Sequence, residues 1–305
     1  MRFLTATAMA IVLAAPAFAA DWKQDYQVIK FGVLSGENEQ DRIARWTPFT
    51  DYMERELGVE VEVFTAGNYD GVIQAMAADQ IEFARLGSSS YAAAYTATNG
   101  GVVPFLTPQK ADGTMGYYSV VVTKCDSPYK SLADLEGTIL AFADPDSTSG
   151  YAVPYFILGN GEGIDPKSYL SAVPVSGSHE AGVQGVMQGT FDAAATWQNN
   201  EVDGRWQRMI EKVMIEAGQI CPIWESPEIT TGPFTARANL PAEMIEDVTK
   251  AIEEFPTKDV EAFNLLQNVT EENKNNTVGY VRVDHDRYQW IVDMRNWLRE
   301  ERRGS

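Results

Sequence analysis

Hydrophobic and polar positions alternate along the chain in blocks that predict strands and helices in turn. Residues 28–34 form a short apolar run that is typical of a buried strand. Apolar residues then recur every three or four positions up to Gly58, which predicts a helix that ends at that glycine. The residues of its apolar face are Trp46, Phe49, Met53 and Leu57. Strand-like alternation at 59–63 follows, so the pattern is that of a βαβ unit.

The βαβ pattern continues and then recurs in the second half of the chain. Asn68 is placed to cap a helix ahead of a strand at 81–86. The later predicted elements are a strand at 138–143, a helix at 149–158, a strand at 172–175, a helix at 180–188 and a strand at 191–197. The helical segments 71–76 and 182–187 also resemble each other in sequence. Two similar α/β lobes are therefore expected.

Two β-branched or aromatic runs, at 117–123 and 221–224, are candidates for the segments that join the lobes. The first run would carry the chain out of the first lobe and the second would bring it back, which makes a hinge with two crossover segments. The expected organisation is a first lobe formed by 20–122 and completed by the C-terminal helices of 226–305, with a second lobe at 123–225.

The composition and net charge of the chain indicate which classes of binding partner are unfavourable. The 305 residues are 45% hydrophobic and 22% charged, as in a soluble globular protein with a sizeable core. The formal net charge of -19 would repel nucleic acid and anionic membrane surfaces, so no nucleic-acid partner is expected. An anionic ligand would have to be held by a local concentration of hydrogen-bond donors that outweighs this overall field.

The first 19 residues have the pattern of a cleaved secretory signal peptide. Arg2 gives a cationic start, residues 3–16 are apolar and small, and residues 17–19 supply an A-x-A cleavage site. The apolar run falls short of the roughly 20 residues that cross a membrane. The mature protein is therefore expected in an exported, oxidising compartment.

Cysteine and histidine usage argues against a metal centre. Cys125 and Cys221 are the only cysteines, and in an oxidising compartment they could form a disulfide, with two buried free thiols as the alternative. His179 and His285 are the only histidines, and the cysteines lack the close spacing of zinc ligands. Neither a metal nor another cofactor is expected.

The segment 144–151 directly follows a predicted strand and opens a predicted helix. Backbone N–H groups of a first helical turn have no partner within the helix and lie at the positive end of its dipole. The adjacent hydroxyls of Ser147, Thr148 and Ser149 could therefore hold an oxyanion with these N–H groups. The alternative is an ordinary helix N-cap, which accounts for one hydroxyl and poorly for three.

Further candidates lie at other junctions between strands and helices. His179 follows Ser178 at such a junction in the same predicted lobe, where α/β ligand sites converge, although a capping or buried neutral imidazole is the common alternative. In the first lobe, Tyr69 starts one helix, and Ser88 and Tyr91 lie at the start of another. The two tyrosines could close over a small ligand, or could be packing residues.

The order of these motifs resembles the phosphate/phosphite/phosphonate substrate-binding proteins of ABC importers. The matching segments are 67–72, 87–91, 130–137, 144–151 and 176–180. The resemblance implies a two-lobed, type II periplasmic binding protein of the Venus-flytrap kind. It further implies a phosphonate-type ligand held by Ser147, Thr148, Ser149 and His179, with Tyr69 and Tyr91 reaching it from the opposite lobe. Such a protein is a periplasmic receptor, expected to be monomeric, that delivers its ligand to a cognate ABC permease in the inner membrane.

Two positions depart from the pattern of the family members that select aminophosphonates. Those members use a Glu and an Asp to engage the ammonium group of the ligand, whereas Asn199 and Gly232 stand at the corresponding positions here. An unpaired buried ammonium is costly. A smaller ligand such as phosphite, phosphate or methylphosphonate is therefore favoured, or one with an uncharged alkyl tail against Trp197. The alternative is that Glu201 or Glu228 pairs with an amine instead.

A binding protein without catalytic residues is the leading interpretation. The alternative is an exported phosphoester or phosphonate hydrolase that uses Ser147 or Ser149 with His179. A hydrolase would want a metal cluster or a nucleophile with an adjacent base, and the sequence shows neither a G-x-S-x-G elbow nor a His/Asp cluster.

Overall fold

A computed structural model describes residues 21–304 except 162, 164 and 275. The expected signal peptide at 1–19 lies outside the described residues. The chain forms two α/β lobes, each built on its own sheet, and the sheets are joined at 110–115 and 231–233. In the described part of the chain, no helix is long and apolar enough to span a membrane.

The first lobe contains a mixed sheet in the order β2-β1-β3-β11-β4-β12, in which β1 pairs in parallel with β2 and β3. Its strands are β1 (Val28–Val33), β2 (Glu60–Thr65), β3 (Phe83–Arg85), β4 (Val102–Gln109), β11 (Phe234–Arg237) and β12 (Gly279–Arg282). Its helices are α1 (Glu39–Leu57), α2 (Tyr69–Ala77), α3 (Ser88–Ala97), α8 (Ala242–Lys258), α9 (Val260–Gln267) and α10 (Gln289–Gly304). A buried aromatic cluster that includes Phe31, Phe49, Phe83 and Phe234 packs beneath the sheet.

The second lobe is smaller, and its sheet runs β10-β5-β7-β6, with β9 also on β5 and β8 on β7. Its strands are β5 (Gly116–Lys124), β6 (Leu140–Ala141), β7 (Ala193–Asn200), β8 (Asp203–Gly204), β9 (Ile220–Glu225) and β10 (Ile229–Thr230). Its α-helices are α4 (Val153–Phe156), α5 (Pro166–Tyr169), α6 (His179–Met187) and α7 (Arg205–Glu211). A short 3₁₀ turn occurs in this lobe at Leu132–Leu135. In the first lobe, such turns occur at Trp22–Gln24 before β1 and at His285–Tyr288 before α10.

Local signals in the sequence account for the helix ends around the cleft. The side chain of Asn38 accepts a hydrogen bond from the Asp41 amide at 3.0 Å and caps α1, which ends at Gly58 in the left-handed region with φ of 70°. Asn68 caps α2 in the same way, with the Gly71 amide at 2.9 Å. The predicted strands, the helix end at Gly58 and the N-cap at Asn68 are confirmed, and the cap at Asn38 is an addition that the structure supplies.

Several predictions for the second lobe are wrong in detail. The segment 149–158 is not one regular helix: π-type turns at Thr148–Ala152 and Ile157–Gly161 flank α4, and Pro154 lies in its first turn. Proline lacks the N–H that a continuous helix needs, so the regular pattern is interrupted. The expected strand at 172–175 is reduced to two isolated bridges, from Ile139 to Ala172 and from Phe142 to Val175.

The crossover segments also lie elsewhere than predicted. Residues 117–123 belong to β5, a central strand of the second sheet, and residues 221–224 belong to β9, which pairs with it. Val120, Val121 and Val122 are fully buried, because a β-branched run is stabilised by burial inside a sheet and not by exposure in a hinge. The chain therefore crosses from one sheet to the other at 110–115 and 231–233, and not at the predicted boundaries near 122 and 225.

A disulfide joins the two strands that the sequence placed at the hinge. Cys125 and Cys221 are bonded, and their Cα atoms are 4.9 Å apart. The bridge ties the end of β5 to β9 across a sequence separation of 96 residues. It therefore lies within the second lobe and does not link the two lobes.

Candidate oxyanion site in the interlobe cleft

A cavity of about 280 Å³ lies between the two lobes. The first lobe contributes the carboxyl ends of β1 and β3 and the start of α2, which is where ligands bind in parallel α/β sheets. The second lobe contributes the segment after β6 and the start of α6. The sequence-predicted residues that line this cavity are Tyr69, Ser147, Thr148, Ser149, His179, Trp197 and Asn199.

The oxyanion loop, residues 147–149, has the geometry of a helix start. The Ser147 hydroxyl accepts a hydrogen bond from the Gly150 amide at 3.1 Å and so caps the following turn. Gly150 allows the loop to approach its neighbours closely, since a Cβ there would lie 2.5 Å from the Ala143 Cβ and 2.8 Å from His179 Cε1. The three hydroxyls are held close to the cavity by this packing.

Two tyrosine hydroxyls converge on the oxyanion loop from different elements. Tyr69, the first residue of α2, is hydrogen bonded to Ser147, and burial together with Asp144 raises the pKa of its hydroxyl. Tyr117, in β5, is hydrogen bonded to Ser149 and Thr148, and burial raises its pKa as well. Both phenols therefore remain protonated at neutral pH and can donate to an anion.

His179 lies at the first position of α6, and its ring is buried in the cavity wall. Its Nε2 is 3.2 Å from the Ser147 hydroxyl, and its Nδ1 is 3.2 Å from the hydroxyl of Thr196. Burial, reinforced by the nearby Arg205 guanidinium, lowers the pKa of the imidazole to about 3. His179 is thus a neutral hydrogen-bonding group at any pH above that value.

Thr148 connects the oxyanion loop to the opposite lobe. Its hydroxyl accepts a hydrogen bond from the Ser89 amide at 2.8 Å, and the Ser88 hydroxyl lies 3.3 Å away. Ser88 is fully buried against Thr148 and does not line the cavity, so its predicted contact with the ligand is corrected to a contact between lobes. The first turn of α3 and the oxyanion loop are held together by these bonds.

Tyr91 does not line the cavity, contrary to the sequence-based expectation. It is fully buried in the first lobe, its hydroxyl is 2.7 Å from His285 Nδ1, and its ring packs against Tyr95 and Tyr288. The side chain lies one helical turn into α3 and points into the core of that lobe. Tyr117 supplies the second aromatic hydroxyl at the cavity instead.

The far end of the cavity carries no acidic group at the two positions that departed from the family pattern. Asn199 donates to Asp203 at 2.7 Å, and its backbone carbonyl accepts from Lys110 at 3.1 Å. Gly232 lies so close to the first lobe that a Cβ would be 2.1 Å from the Leu86 carbonyl oxygen. An Asp at position 232 would therefore require the backbone to move.

A buried ionic cluster that sequence reasoning missed lines one side of the cavity. Glu37 accepts from Arg45 and lies 3.6 Å from Arg205 and 3.0 Å from Lys212. Burial alone would raise the pKa of the Glu37 carboxyl, but Arg45, Arg205 and Lys212 together hold it far below its usual range. Arg205 and Arg208 also lie over the ring of Trp197, at 5.2 and 4.9 Å from its centre.

Arg85 is a second site residue that was missed. It ends the buried strand β3 and lines the cavity, where its guanidinium lies 5.5 Å from the ring centre of Phe234. A charged residue at the carboxyl end of the apolar run 81–86 is the signal that could have identified it. The signal for Glu37 is weaker, because that residue lies in a polar loop ahead of α1.

The lobes are closed around the cavity by polar contacts on both sides of the oxyanion loop. Arg295 of α10 donates to the Asp146 carboxylate at 2.6 Å, and the Ser90 hydroxyl donates to the Asp146 carbonyl at 2.9 Å. On the opposite side, Asn38 donates to Glu180 at 3.2 Å, next to the Glu37 cluster. Across residues 21–304, apart from 162, 164 and 275, no group of three His, Cys, Asp or Glu side chains could hold a metal ion.

Comparison with known proteins relates the whole architecture to one family. Residues 31–288 match the family model described as the periplasmic substrate-binding protein of phosphonate ABC transporters. The phosphonates-binding periplasmic protein of Escherichia coli K12 is 32% identical over 232 residues, which cover 75% of this chain and 65%, just under two thirds, of that protein.

Two further relatives are similar over most of their length. The phosphate-import protein PhnD of Mycolicibacterium smegmatis is 25% identical over 313 residues, with 96% of this chain and 95% of that protein aligned. A crystal structure of a binding protein component of an ABC phosphonate transporter from Pseudomonas aeruginosa superposes with a TM-score of 0.77 at 26% identity. That superposition covers 88% of this chain and 85% of the other.

Proposed function

The chain belongs to the family of periplasmic substrate-binding proteins of phosphonate ABC transporters, and on this premise we propose that its interlobe cavity captures a small phosphonate-type oxyanion. The ligand would then be delivered to a permease in the inner membrane, with the mature receptor acting as a monomer in the periplasm. Cleavage of residues 1–19 would release that mature form.

The convergence of uncharged hydrogen-bond donors on one point of the cavity carries this proposal. The hydroxyls of Ser147, Ser149, Tyr69 and Tyr117 and the neutral ring of His179 all meet there. The orphan amides of the turn that Ser147 caps lie beside them. A tetrahedral oxyanion presents acceptors in several directions, which is what such a set of donors can satisfy.

Local charge supports anion binding in spite of the overall charge of -19. Three arginines, Arg45, Arg85 and Arg205, line the cavity with a single carboxylate, that of Glu37. In a closed cleft the effective dielectric constant is low, so the net positive charge of this lining favours an anionic over a cationic ligand, while the uncharged donors make the contacts with the oxyanion itself. The positive charge around the cavity therefore offsets the negative net charge of the protein at the point where the ligand binds.

Cavity size and the absent acidic partners favour a small ligand without an amine. The volume of about 280 Å³ lies just below the roughly 300–1,000 Å³ that is usual for small-molecule sites. Asn199 and Gly232 cannot neutralise an ammonium group, and burial of an unpaired charge is costly. The names of two relatives, one a phosphonates-binding protein and the other a phosphate-import protein, support a ligand of this class.

The hydrolase alternative loses its support. The family is one of binding proteins, and the Nδ1 of His179 faces the hydroxyl of Thr196 where a catalytic triad would place a carboxylate. A histidine with a pKa of about 3 is also a poor general base at neutral pH, since little driving force remains for it to take a proton from Ser147.

Calorimetry combined with phosphorus NMR tests the proposal. Methylphosphonate should bind the full mature chain with one site and remain chemically unchanged, with a shifted resonance. Ser147→Ala should weaken this binding by roughly 1.5–3 kcal/mol, the range for hydrogen bonds to charged groups, whereas Ser168→Ala, at an exposed serine in α5, should not change it. Absence of binding for phosphite, phosphate and every phosphonate tested, or turnover of a phosphoester, would overturn the proposal.

A further inference from the structure

Arg85 has an unusual position for a guanidinium group. It ends a central strand of the first sheet, beneath the cleft, and its Nη1 donates to the Leu86 carbonyl at 2.6 Å. A longer contact of 3.5 Å reaches the Pro233 carbonyl. The backbone and the ring of Phe234 thus fix the plane of the guanidinium and leave its Nε and Nη2 groups without a protein acceptor in the described part of the chain.

Among residues 21–304, apart from the three undescribed positions, no carboxylate forms an ion pair with Arg85. Burial lowers the pKa of Arg85, and the groups that act in the opposite direction are the hydroxyls of Tyr288, Tyr280 and Tyr117. Glu37, which lines the same cavity, is committed to Arg45, Arg205 and Lys212. Asp203, near the adjoining cavity that Arg85 also lines, is committed to Arg208, Asn199 and Asn276.

The position of Arg85 relative to the oxyanion loop defines a second subsite. Arg85, Tyr117 and the oxyanion loop line the same cavity, and Tyr117, whose hydroxyl is bonded to Ser149 and Thr148, lies within electrostatic reach of Arg85. The space beyond Arg85 is bounded by Asn199, Pro108 and Thr231, which line both cavities. A ligand held at the oxyanion loop would extend its substituent towards this space.

We infer that the preferred ligand is a phosphonate whose short substituent ends in a second anionic group, such as a carboxylate, bound by Arg85. This inference rests on the proposed function and names the ligand class of that same site. A planar carboxylate matches the paired N–H donors of a guanidinium, and the pair is strong when water is excluded. The charges then match: uncharged donors hold the phosphonate, and the unbalanced arginine holds the substituent.

Matched ligands test the inference on the unaltered protein. Phosphonoacetate carries the carboxylate, 2-methylpropylphosphonate has a substituent of similar size and branching without charge, and methylphosphonate lacks the substituent. Phosphonoacetate should bind at least about tenfold more tightly than either of the others, the effect of one charge-assisted hydrogen-bonded pair. Equal or weaker binding of phosphonoacetate overturns the inference and leaves the proposed function standing, whereas failure of all three ligands to bind would defeat the proposed function itself.

Substitution of Arg85 separates a direct contact from a general field. Arg85→Gln should weaken phosphonoacetate at least about tenfold and methylphosphonate less than about threefold. Arg282→Gln, at an exposed guanidinium of the same lobe that pairs with Glu246 and Glu253, controls for net charge and should change neither. Equal losses for both ligands would show that Arg85 acts only on the phosphonate, and would overturn the inference. Retained methylphosphonate binding shows that the variant is folded, and if Arg85→Gln does not fold, the comparison of ligands on the unaltered protein decides.

Discussion

The ammonium group of Lys212 on the second lobe lies 3.0 Å from the Glu37 carboxylate on the first. The same group lies 2.7 Å from Asp41 on the first lobe and 3.7 Å from Glu180 on the second. Lys212 thus contacts carboxylates of both lobes. Because Lys212 belongs to the second lobe and Glu37 and Asp41 to the first, these contacts would be lost if the lobes separated. They therefore contribute to the stability of the closed form, which is the form that encloses a ligand.

Lys212→Met should weaken methylphosphonate binding about threefold to tenfold, the effect of a partly buried ion pair on the closing equilibrium. The loss should be smaller at high salt, because salt screens the pair in the parent protein. Calorimetric titrations at two ionic strengths measure both effects. Lys250→Met, at an exposed i,i+4 pair on α8, is the control. An unchanged dissociation constant for Lys212→Met would show that this cluster does not contribute to closure.

Tyr117→Phe should weaken methylphosphonate binding by about 1.5–3 kcal/mol, since it removes a hydroxyl donor from the oxyanion loop. Tyr91→Phe is the matched control, because Tyr91 is buried and bonded to His285 outside the cavity. It should lower thermal stability slightly and leave the dissociation constant unchanged. Equal losses of affinity for the two variants, measured by calorimetry, would contradict the assignment of Tyr117 to the site.

The pH dependence of stability should report His179. Its pKa is about 3 in the folded protein, against about 6.5 in an unfolded chain, so the unfolded state binds a proton that the folded state does not. The free energy of unfolding should therefore decrease as the pH falls from about 6.5, by up to roughly 1.4 kcal/mol per pH unit. Below the ordinary carboxyl range Glu37 adds to the loss, since its folded pKa is lowered as well.

Denaturant titrations between pH 7 and pH 5 measure this slope, and His179→Asn provides the comparison. The variant cannot gain that proton, so its stability should vary less over this range than that of the parent protein. A parent slope that is matched by the variant would show that His179 titrates normally in the folded protein.

The disulfide between Cys125 and Cys221 should be present in the exported protein. Thiol titration of denatured, unreduced protein should then find almost no free thiol. Replacement of both cysteines by alanine should cost about 2–5 kcal/mol of stability, because the bridge restricts a long loop in the unfolded chain. Two titratable thiols in protein purified from the periplasm would contradict this expectation.

Short-range signals made the first βαβ unit predictable from the sequence. The cap at Asn68 and the left-handed Gly58 act within a few residues, so a pattern of neighbours is enough to place them. The oxyanion loop was predictable for the same reason, because three consecutive hydroxyls at a helix start are visible in the sequence.

Features that depend on the arrangement of distant segments were not predictable. Tyr91 and Tyr117 are both aromatic residues near an element start, and only the packing of α3 against α10 directs Tyr91 into the core. The neutralisation of Glu37 by Arg205 and Lys212 joins residues from different lobes. The crossovers were misplaced because an apolar run predicts a strand but does not indicate which sheet it joins.

Small-angle X-ray scattering with and without methylphosphonate tests the central claim most directly. If the oxyanion is held between Tyr69 on one lobe and the oxyanion loop on the other, it must favour the closed arrangement, since only differential affinity shifts such an equilibrium. The radius of gyration of the mature protein should therefore decrease at saturating ligand. Tight binding of methylphosphonate with no change in the scattering curve would place the site within a single lobe and would contradict the account.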